Sequence, residues 1–567
     1  MRIDNVKKML LRYFASILLF AIVSILGLNS YLKITPPPVN AIDTTSLVTK
    51  NIGDSLTYCG KSWIHKSNTG LYEVYAEGEA YRRGLVIGKL TRALGYKQEK
   101  AFVDQIHKMV PSGKYLRFLQ FLLAVFNRDI DAYIKPEFLK EIYGISQFAS
   151  NDFDEIGSKY FRILNYHAAH DIGHMMQNYH LVGCTSFAVW GDKSKDSSMI
   201  VGRNFDFYVG DEFAEDKIVE FIKPDSGYKF MMITWGGMAG VVSGMNDQGL
   251  TVTLNAAKSY IPVQVATPIS LVARDILQYA KNIDDAKKIA DSYKTFVSES
   301  ILIGSKFDKQ AFIIEKSPYK TDVVHADSNY LVCTNHFQGK EFVSDEQNIL
   351  QQTETPTKYR FERTQQLIQQ NLPLDEKIAA SILRNPDGLN DEKIGYTNEM
   401  AINQFIAHHS IIFKPEKLLV WVSTKPYQLG KYVCYDLNKI FSLKEYPLKS
   451  SEIYQNDVSL QPDWRLLKEY YCNISYFKNL KNVLLNHIQK DTVKFNETLL
   501  ATFINTNPDY YQTYSLIGDY YFARHDFTHA FQYYSEAMKK QISFKSEKNY
   551  ILQQIEGCKK EMNKNNK

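Results

Sequence analysis

The feature that most constrains the fold of this chain is a dense run of strand-like segments that begins at Cys184. "TSFAVWG", "SMIVGRNFDFYV", "KIVEFIKP", "YKFMMITW" and "GLTVTLNAA" follow one another, separated by glycine-rich or polar turns. Residues 270–293 have helical apolar spacing, strands resume at "SILIGS" and "QAFIIEK", and "HSIIFKPEKLLVWVST" predicts a hairpin. Strands, then helices, then strands again predict an α+β fold in which helices cover the sheets.

The residues on either side of this run have a different secondary-structure pattern. Before it, residues 61–183 are mixed, and helices are predicted at "GEAYRRGLVIGKLTRAL" and "PEFLKEIYGISQFAS". After it, the strand signal disappears, and residues 448–567 are predicted to form an all-α region.

One part of this C-terminal region, "YYQTYSLIGDYYFARHDFTHAFQYYSEAMKKQ", fits the roughly 34-residue frame of a tetratricopeptide repeat. The large and small positions of that frame are filled by Tyr514, Ile517, Gly518, Tyr521, Ala530, Tyr534 and Ala537. A single good repeat is below the roughly three that normally stand alone, so we expect it to pack on weaker hairpins and on the strand-rich region. Two roles stay open, a helical cap and a groove that binds a protein partner.

The N-terminal residues 1–32 combine basic residues with an apolar run from Tyr13 to Leu28. The basic side precedes the run, which predicts a cytoplasmic N-terminus and an exported remainder. An uncleaved membrane anchor is favoured over a cleaved signal peptide, because "LGLNSYLKI" is a poor cleavage pattern. We therefore expect residues 33–60 to be an extracytoplasmic linker, in a protein that is membrane-anchored, or secreted if the segment is cleaved.

Charge and cysteine spacing exclude several kinds of function. The formal net charge is +5 over 567 residues, and no dense basic block is present, so we expect no nucleic-acid partner. The 6 cysteines are scattered without C-x-x-C spacing, which predicts neither a zinc site nor a dense disulfide framework.

Cys184 itself follows Gly183 and precedes the first strand of the run. A lone cysteine there is usually a small buried hydrophobic residue. Three features favour a catalytic role: the glycine leaves the peptide bond sterically open, two hydroxyl residues follow, and "GRNFDF" lies on the next strand. A hairpin of the two strands would bring Arg203, Asn204 and Asp206 beside the cysteine.

Five segments in a fixed order carry a resemblance to a known family. They are "GEAYRRGLVIGKL" with "KEIYGISQF", "GCTSF…GRNFDF", "WGGMAGVVSGMNDQGLTVTLNAA", "LVCTNHF" and "KYRFERTQQL". Together they resemble the cysteine N-terminal-nucleophile hydrolases of the acyl-coenzyme A:6-aminopenicillanic acid acyltransferase family, which is related to choloylglycine hydrolases, penicillin V acylase and acid ceramidase. The resemblance covers roughly residues 78–423 and implies a four-layer αββα sandwich, with no cofactor and no metal.

The resemblance also implies that the precursor cuts itself between Gly183 and Cys184. Residues 61–183 would then be a leader or small subunit, and residues 184–447 the catalytic domain. The cut would free the α-amino group of Cys184, whose pKa of about 8 is close to the thiol value of about 8.5. Such an amine can take the thiol proton near neutral pH, so the site needs no separate histidine.

Roles for the neighbours follow from the same resemblance. Cys184 would supply both the nucleophilic sulfur and the general base, Arg203 would stabilise the thiolate, and Asp206 would hold the new amine. A cross-strand ion pair between Arg203 and Asp206 is the alternative. Asn204 lies between them, and strand alternation predicts that it points away.

Three later residues complete the site that the resemblance implies. Asn335 would donate a hydrogen bond to the oxyanion, and Asn255 would help to bind the substrate and the oxyanion. Asn255 could instead only close a turn. Arg360 would support the site from a helix, and "KYRFER" leaves Arg363 open as the alternative.

The segment "HAAHDIGH" is a second candidate for chemistry. It places His167, His170 and His174 on one helical face with Asp171 among them, which is a pattern that can bind a metal. The segment lies just before the predicted cut, and we interpret its histidines as residues of a packed helix.

Three hypotheses for the function remain. The leading one is a self-processing cysteine amidase or acyltransferase that cleaves linear acyl-amide bonds through a thioester on Cys184. The second keeps this chemistry but aims it at a lipid, such as a ceramide or an N-acyl amine. The third is a non-catalytic, membrane-tethered scaffold that binds partners through the C-terminal repeats.

Overall fold

A computed structural model of the chain describes residues 34–40, 42–110, 112–167, 183–207, 210–258, 265–443, 452–490 and 496–565. The anchor or signal segment predicted for residues 1–32 lies outside the described residues, as do His170, Asp171 and His174. Among the helices that are described, none is both long enough and apolar enough to cross a membrane.

The strands are numbered in chain order. They are β1 Thr49–Ile52, β2 Leu56–Cys59, β3 Ser62–Lys66, β4 Tyr72–Gly78, β5 Thr185–Val189, β6 Ile200–Asp206, β7 Ile218–Pro224, β8 Phe230–Thr234, β9 Ser243–Asn246, β10 Leu250–Ala256, β11 Glu299–Ser305, β12 Gln310–Lys316, β13 Thr321–His325, β14 Tyr330–Cys333, β15 Ala407–Lys414, β16 Leu419–Ser423, β17 Tyr432–Asp436 and β18 Gln455–Leu460.

The α-helices are numbered in the same way. They are α1 Ala80–Leu90, α2 Arg92–Met109, α3 Gly113–Phe126, α4 Pro136–Ser146, α5 Lys159–His167, α6 Ile269–Tyr279, α7 Ile283–Ser292, α8 Glu346–Glu354, α9 Thr357–Gln370, α10 Glu376–Leu383, α11 Leu437–Ile440, α12 Trp464–Glu469, α13 Ser475–Lys490, α14 Glu497–Thr506, α15 Tyr511–Phe522, α16 Phe527–Ala537 and α17 Lys545–Asn565. The helical stretch predicted at 270–293 is thus two helices, α6 and α7.

The described strands form two sheets. Sheet I has 11 strands in the order β1-β2-β3-β4-β7-β8-β9-β10-β11-β12-β13, and sheet II has 7 in the order β14-β5-β6-β15-β16-β17-β18. Strands β15 and β16 are antiparallel neighbours, which confirms the hairpin predicted there. Strands β5, β6 and β10 are buried along their whole length because each lies inside a covered sheet.

The two sheets pack face to face, and helices cover the outer face of each, so the chain has four layers. Three hydrophobic clusters fill the spaces between the layers. One lies between the sheets (Val201, Val219, Leu302, Ile411), one between sheet I and its helices (Val252, Ile142, Ile276), and one between sheet II and its helices (Phe187, Ile412, Leu383). Each such side chain contributes roughly 1.5–3 kcal/mol by leaving water. The predicted α+β, four-layer αββα sandwich is confirmed.

Residues 61–183 and the strand-rich segment after them share one core. Strand β4 pairs in parallel with β7, from Tyr72 opposite Ile218 to Gly78 opposite Pro224. Helices α1 and α4 approach so closely that a Cβ added to Gly84 would lie 2.0 Å from the carbonyl oxygen of Glu141. The predicted leader is therefore built into the sandwich.

A buried charge cluster ties the same two segments together. The Glu141 carboxylate accepts hydrogen bonds from Arg83 at 2.5 Å and from Arg274 at 3.0 Å, and all three side chains are buried. Burial opposes ionisation, but the guanidinium groups of Arg274 and Arg83 lower the pKa of Glu141. Removing one partner of such a cluster typically costs about 3–5 kcal/mol, because it leaves a buried charge uncompensated.

Two segment boundaries differ from the predictions. Residues 33–60 were predicted to be a linker, yet β1 and β2 extend the edge of sheet I, with Leu56 and Cys59 buried. Residues 448–567 were predicted to be all-α, yet β18 pairs with β17 at the edge of sheet II. Both segments are short edge strands with little apolar alternation, and their neighbours rather than their own pattern hold them extended.

The C-terminal helices α12–α17 form the last part of the structure. Within α15 and α16, Gly518 lies against the ring of Tyr534, which uses a small and a large position of the predicted repeat. The repeat type stays a prediction. The region docks on the loop before β15: Asn507 Oδ1 accepts from the Tyr396 amide at 2.9 Å, and Ser543 donates to Asn398 at 2.8 Å.

Candidate active site

The hairpin of β5 and β6 assembles the centre of the site. Ser186 is opposite Arg203, and Thr185 is opposite Asn204. Cys184 lies one residue before β5. In the antiparallel hairpin it is therefore next to the end of β6, which is Asp206. The hairpin predicted from the sequence therefore does bring Cys184, Arg203 and Asp206 together.

The thiol of Cys184 is fully buried, and its nearest charge is a guanidinium. Arg203 Nη2 lies 3.7 Å from Cys184 Sγ. Burial raises the pKa of the Cys184 thiol to about 11, although Arg203 opposes the rise. In the intact chain the sulfur is therefore held mainly as the thiol, with a cation in place to stabilise the thiolate.

Arg203 is fixed by the neighbouring sheet. Its Nη1 donates to the carbonyl oxygen of Val242 at 2.8 Å and to the Ser243 hydroxyl, and its Nη2 donates to the carbonyl oxygen of Leu254. Its guanidinium carbon lies 4.6 Å from the centre of the Phe205 ring. These partners leave the cation little freedom, so it is held in contact with the sulfur.

Asp206 is the most unusual group in the site. Its side chain is buried, and among the described residues neither carboxylate oxygen has a hydrogen-bond partner. Burial raises the pKa of Asp206 to about 7, against the pull of Arg360 and Arg203. The alternative of an Arg203–Asp206 ion pair is not what this structure has, because the arginine bonds to main-chain oxygens instead.

Asn204 lies on the other side of the strand, as alternation predicts. Its Nδ2 donates to the carbonyl oxygens of Leu383 at 2.8 Å and Ile402 at 3.0 Å. It therefore joins sheet II to its outer layer and is not part of the site.

Arg360 on α9 holds the bond predicted to be cut. Its Nη1 donates to the carbonyl oxygen of Gly183 at 2.9 Å, to that of Cys184 at 2.7 Å and to the Thr185 hydroxyl at 3.0 Å. Burial lowers the pKa of Arg360 to about 10, which leaves it charged at neutral pH. Arg363 instead donates to residues of the outer loop, Asn385 and Asp391.

Asn335 follows β14 and is locked in place by the same arginine. Its Oδ1 accepts from Arg360 Nη2 at 2.8 Å, and its main-chain amide donates to Thr357 at 2.8 Å. Its Nδ2 donates to the carbonyl oxygen of Ala256 at 2.9 Å. Because the oxygen end is taken by a cation, Asn335 presents its NH₂ group as a donor.

Asn255 on β10 lies beneath the hairpin and joins the two sheets. Its Oδ1 accepts from the Ser186 hydroxyl at 2.6 Å, and its Nδ2 donates to the carbonyl oxygen of Cys333 at 3.0 Å. It is a neighbour of the site through Ser186, and its predicted contact with a substrate stays a prediction.

Two groups at the site were missed by the sequence reasoning. Gln404, in the loop before β15, donates from Nε2 to the carbonyl oxygen of Gly183 at 2.9 Å. Ser243, which accepts from Arg203, is 2.8 Å from His409 Nε2. Burial lowers the pKa of His409 well below its ordinary value, so the ring is neutral. Gln404 lies outside the segments that carry the resemblance, and Ser243 lies within one of them but gave no local signal of its own.

Two sets of described residues bear on whether the chain could ligate a metal. His167, from the predicted histidine face, bonds the carbonyl oxygen of Ile163 at 2.8 Å and accepts from the Ala239 amide at 2.8 Å, so both ring nitrogens are used. Ligand atoms of His65, Glu73 and Glu452 lie within 4.8 Å of one another. The latter group includes a 2.9 Å pair between His65 and Glu73.

A mainly apolar cavity of about 60 Å³ lies next to the site. Leader and strand-rich segments both line it, with Phe102, Phe148, Tyr166, Phe207, Phe213 and Trp235 among the walls. Trp235 stacks on Phe205 with ring centres 6.2 Å apart, and Phe205 in turn contacts Arg203. The cavity is thus joined to the thiol through three side chains, Trp235, Phe205 and Arg203.

Comparison with known proteins gives one family match and one curated relative. Residues 192–423 match the family model described as acyl-coenzyme A:6-aminopenicillanic acid acyl-transferase. This segment holds Arg203, Asp206, Asn255, Asn335 and Arg360. An uncharacterised protein of Archaeoglobus fulgidus is 24% identical over 286 residues, which is 48% of this chain and 47% of the relative. The match therefore spans about half the length of that relative.

Three solved structures are similar to parts of the chain. The Caenorhabditis elegans orthologue of N-acylethanolamine-hydrolyzing acid amidase has a TM-score of 0.30 at 18% identity, over 41% of this chain and 93% of that one. A mutant conjugated bile acid hydrolase of Clostridium perfringens has a TM-score of 0.31 at 12% identity, over 48% of this chain and 96% of that one. Penicillin V acylase of Agrobacterium tumefaciens has a TM-score of 0.27 at 13% identity, over 45% of this chain and 87% of that one.

Proposed function

Because residues 192–423 match the acyl-coenzyme A:6-aminopenicillanic acid acyl-transferase family model, we propose that the chain is a self-processing cysteine amidase or acyltransferase. Its substrate would be a linear acyl amide. The observation that supports this most is the convergence of two arginines and one buried carboxyl group around Cys184. Arg203 contacts the thiol of Cys184, Arg360 binds the two carbonyl oxygens beside the bond predicted to be cut, and the buried Asp206 lacks a partner among the described residues.

Self-processing would begin with attack of Cys184 Sγ on the carbonyl carbon of Gly183. The carbon–nitrogen bond breaks, the thiol proton goes to the leaving nitrogen, and a thioester joins Gly183 to the sulfur. Water then hydrolyses the thioester, which leaves a Gly183 carboxylate, a free thiol and a free α-amino group. Arg360 stabilises the oxyanion of the first step, because it already donates to that oxygen.

The new α-amino group then explains the buried carboxylate. An ammonium at this position gives Asp206 a partner that the intact chain does not supply among the described residues. The pair would hold the amine where it can take the thiol proton. The thiolate, stabilised by Arg203, attacks the acyl-amide carbonyl, the carbon–nitrogen bond breaks, and the amine leaves with the proton. Water or a second amine takes the acyl group from the thioester, with Asn335 as the oxyanion donor.

The apolar cavity favours an acyl group that is itself apolar. Aromatic side chains from both segments form its walls, and Phe205 connects them to the reacting end of the site. This observation supports the lipid amide as the second candidate substrate, of the ceramide or N-acyl-amine kind. A membrane-anchored, extracytoplasmic enzyme would suit such a substrate, and that location is part of the proposal.

Intact-mass analysis with N-terminal sequencing tests self-processing. The wild-type chain should give two fragments, one of which begins at Cys184, and Cys184→Ala should stay a single chain. A wild-type protein that remains whole after purification would contradict the proposal.

A panel of acyl amides tests the substrate class. Fatty-acyl ethanolamides, a ceramide, a bile-salt conjugate and a penicillin are compared at equal concentration, and free acid and free amine are measured. Fatty-acyl amides should be cleaved fastest if the cavity holds the acyl chain. Release of no acyl product from any of them would favour the scaffold that binds partners through the C-terminal helices.

A further inference from the structure

The carbonyl oxygen of Gly183 has two side-chain donors that come from two separate segments, both later in the sequence. Arg360 Nη1 donates from α9, and Gln404 Nε2 donates from the loop before β15, both at 2.9 Å. An oxygen that becomes an oxyanion during self-cleavage is stabilised by donors already in place. Gln404 supplies the second donor, and its side chain is 3% exposed.

The loop that carries Gln404 is held firmly on both sides. Asn403 Nδ2 donates to the carbonyl oxygen of Arg384 at 3.1 Å, and its Oδ1 accepts from the Phe405 amide at 3.1 Å. Lys478 of helix α13 donates to the carbonyl oxygen of Phe405 at 3.1 Å. These neighbours therefore hold the loop so that the side-chain amide of Gln404 faces the carbonyl oxygen of Gly183.

The same amide also touches the α-carbon side of Gly183. A Cβ added to Gly183 would lie 2.6 Å from Gln404 Nε2 and 2.8 Å from its Oε1. Such a distance is too short for any real side chain, so alanine at this position would push the donor away from the carbonyl oxygen.

We propose that Gln404 is a catalytic residue of self-cleavage: it stabilises the oxyanion formed at Gly183 and, by its position, favours glycine before the cut. This inference rests on the proposed function, because it assumes that Cys184 attacks Gly183. In the step concerned, the sulfur–carbon bond forms as the carbonyl π electrons move to the oxygen. Gln404 and Arg360 each keep one N–H on that oxygen until the carbon–nitrogen bond breaks.

The rate of self-cleavage measures the contribution of the donor. Full-length chains are made by cell-free translation, synthesis is stopped, and the uncleaved fraction is followed by gel and intact mass. Gln404→Leu removes the side-chain amide at nearly the same volume, and it should slow cleavage about a hundredfold, the usual loss for one oxyanion donor. Gln428→Leu is the matched control, because Gln428 is equally buried but bonds Leu383 and not Gly183. It should cleave at close to the wild-type rate.

A pair of coupled variants tests the geometry without depending on one substitution. Gly183→Ala alone should slow cleavage about tenfold or more, because its methyl group displaces Gln404. In a Gln404→Ala background, which is already slow, Gly183→Ala should add little, since the space is open. Two contacting residues that act through one displacement are expected to be non-additive in this way.

The outcomes separate this inference from the function on which it rests. If the wild-type chain never cleaves, the proposed function fails. If the wild type cleaves and Gln404→Leu cleaves equally fast, or if the effects of Gly183→Ala and Gln404→Ala simply multiply, only the role of Gln404 fails. Gln404→Glu keeps the shape of the side chain and serves if Gln404→Leu does not fold; it should also be slow, because a carboxylate oxygen repels the oxyanion.

Discussion

Replacing Asp206 by asparagine should stabilise the uncleaved chain, and the gain should grow with pH. Burial raises the pKa of Asp206 from 3.8 to about 7, so the folded chain prefers the neutral carboxyl group. In the unfolded chain the group ionises near its ordinary value. The stability contributed by the neutral form is therefore complete below about pH 4 and is lost as the pH rises through about 7.

The size of the effect follows from this pKa. Each unit corresponds to about 1.4 kcal/mol, so raising the pKa from 3.8 to about 7 costs the ionised form about 4 kcal/mol. Asparagine has a similar shape and carries no charge. Asp206→Asn should accordingly raise the free energy of unfolding by about 4 kcal/mol at pH 8 and by less than about 1 kcal/mol at pH 4.

Urea unfolding at several pH values measures this difference. The background is Cys184→Ala, which keeps the chain whole, and tryptophan fluorescence reports on the sandwich because only Trp464 of the 5 tryptophans lies in the C-terminal helices. Asp196→Asn is the control of opposite sign. Burial opposes ionisation of Asp196, but ion pairs at 2.7 Å with Lys414 and 2.6 Å with Lys417 hold its pKa below the ordinary value. Asp196→Asn should therefore destabilise the chain at pH 8.

Two results would refute the reasoning. One is an Asp206→Asn chain that is less stable than its parent at pH 8. The other is a gain in stability that is the same at pH 5 and pH 8. Either result would mean that the Asp206 carboxylate already has a partner in the intact chain and does not need the α-amino group of Cys184 as one.

Three further predictions concern self-cleavage and its product. Arg360→Met should slow cleavage about a hundredfold or more by removing a donor to Gly183, whereas Arg363→Met should still cleave; equal rates in the gel assay would contradict the assignment. The wild-type rate should rise steadily from pH 6 to pH 9, because burial raises the pKa of the Cys184 thiol to about 11, and a flat profile would oppose this. The leader should stay with the catalytic chain in native size exclusion and separate only in denaturant, because β4 and β7 pair along their whole length; early loss of the leader would argue against the shared sheet.

The sequence predicts the centre of the site because that centre is local. Cys184 directly precedes one strand and Arg203 and Asp206 lie on the next strand of the same hairpin, so pairing of consecutive strands brings them together. Alternation along the strand separates Asn204 from Arg203, and the bonds of Asn204 to Leu383 and Ile402 show that it faces the outer layer. The strand-rich segment likewise predicts sheets covered by helices, because buried strands leave a pattern that needs no knowledge of the partner, whereas the four-layer sandwich was implied by the family resemblance.

The remaining contacts depend on packing between distant segments. Arg360 and Arg363 are three residues apart on one helix with similar neighbours in sequence, and only the orientation of α9 turns the first toward Gly183. Short edge strands such as β1 and β18 have no apolar pattern of their own, so the predicted linker and all-α boundaries differ from the structure there.

The sequence by itself determined the layered α+β fold, because hydrophobic periodicity depends on residues that are close in sequence. It also determined that the cysteine, the arginine and the aspartate meet at the end of one hairpin, because consecutive strands pair with each other. Only the tertiary structure decided that Gln404 donates to the carbonyl oxygen of Gly183 and that residues 61–183 share a sheet with the strand-rich segment after them. It also decided that Asp206 is buried without a partner among the described residues. These features arise where segments far apart in sequence pack together and exclude water. The sequence of one segment alone does not contain the information about which partner it packs against.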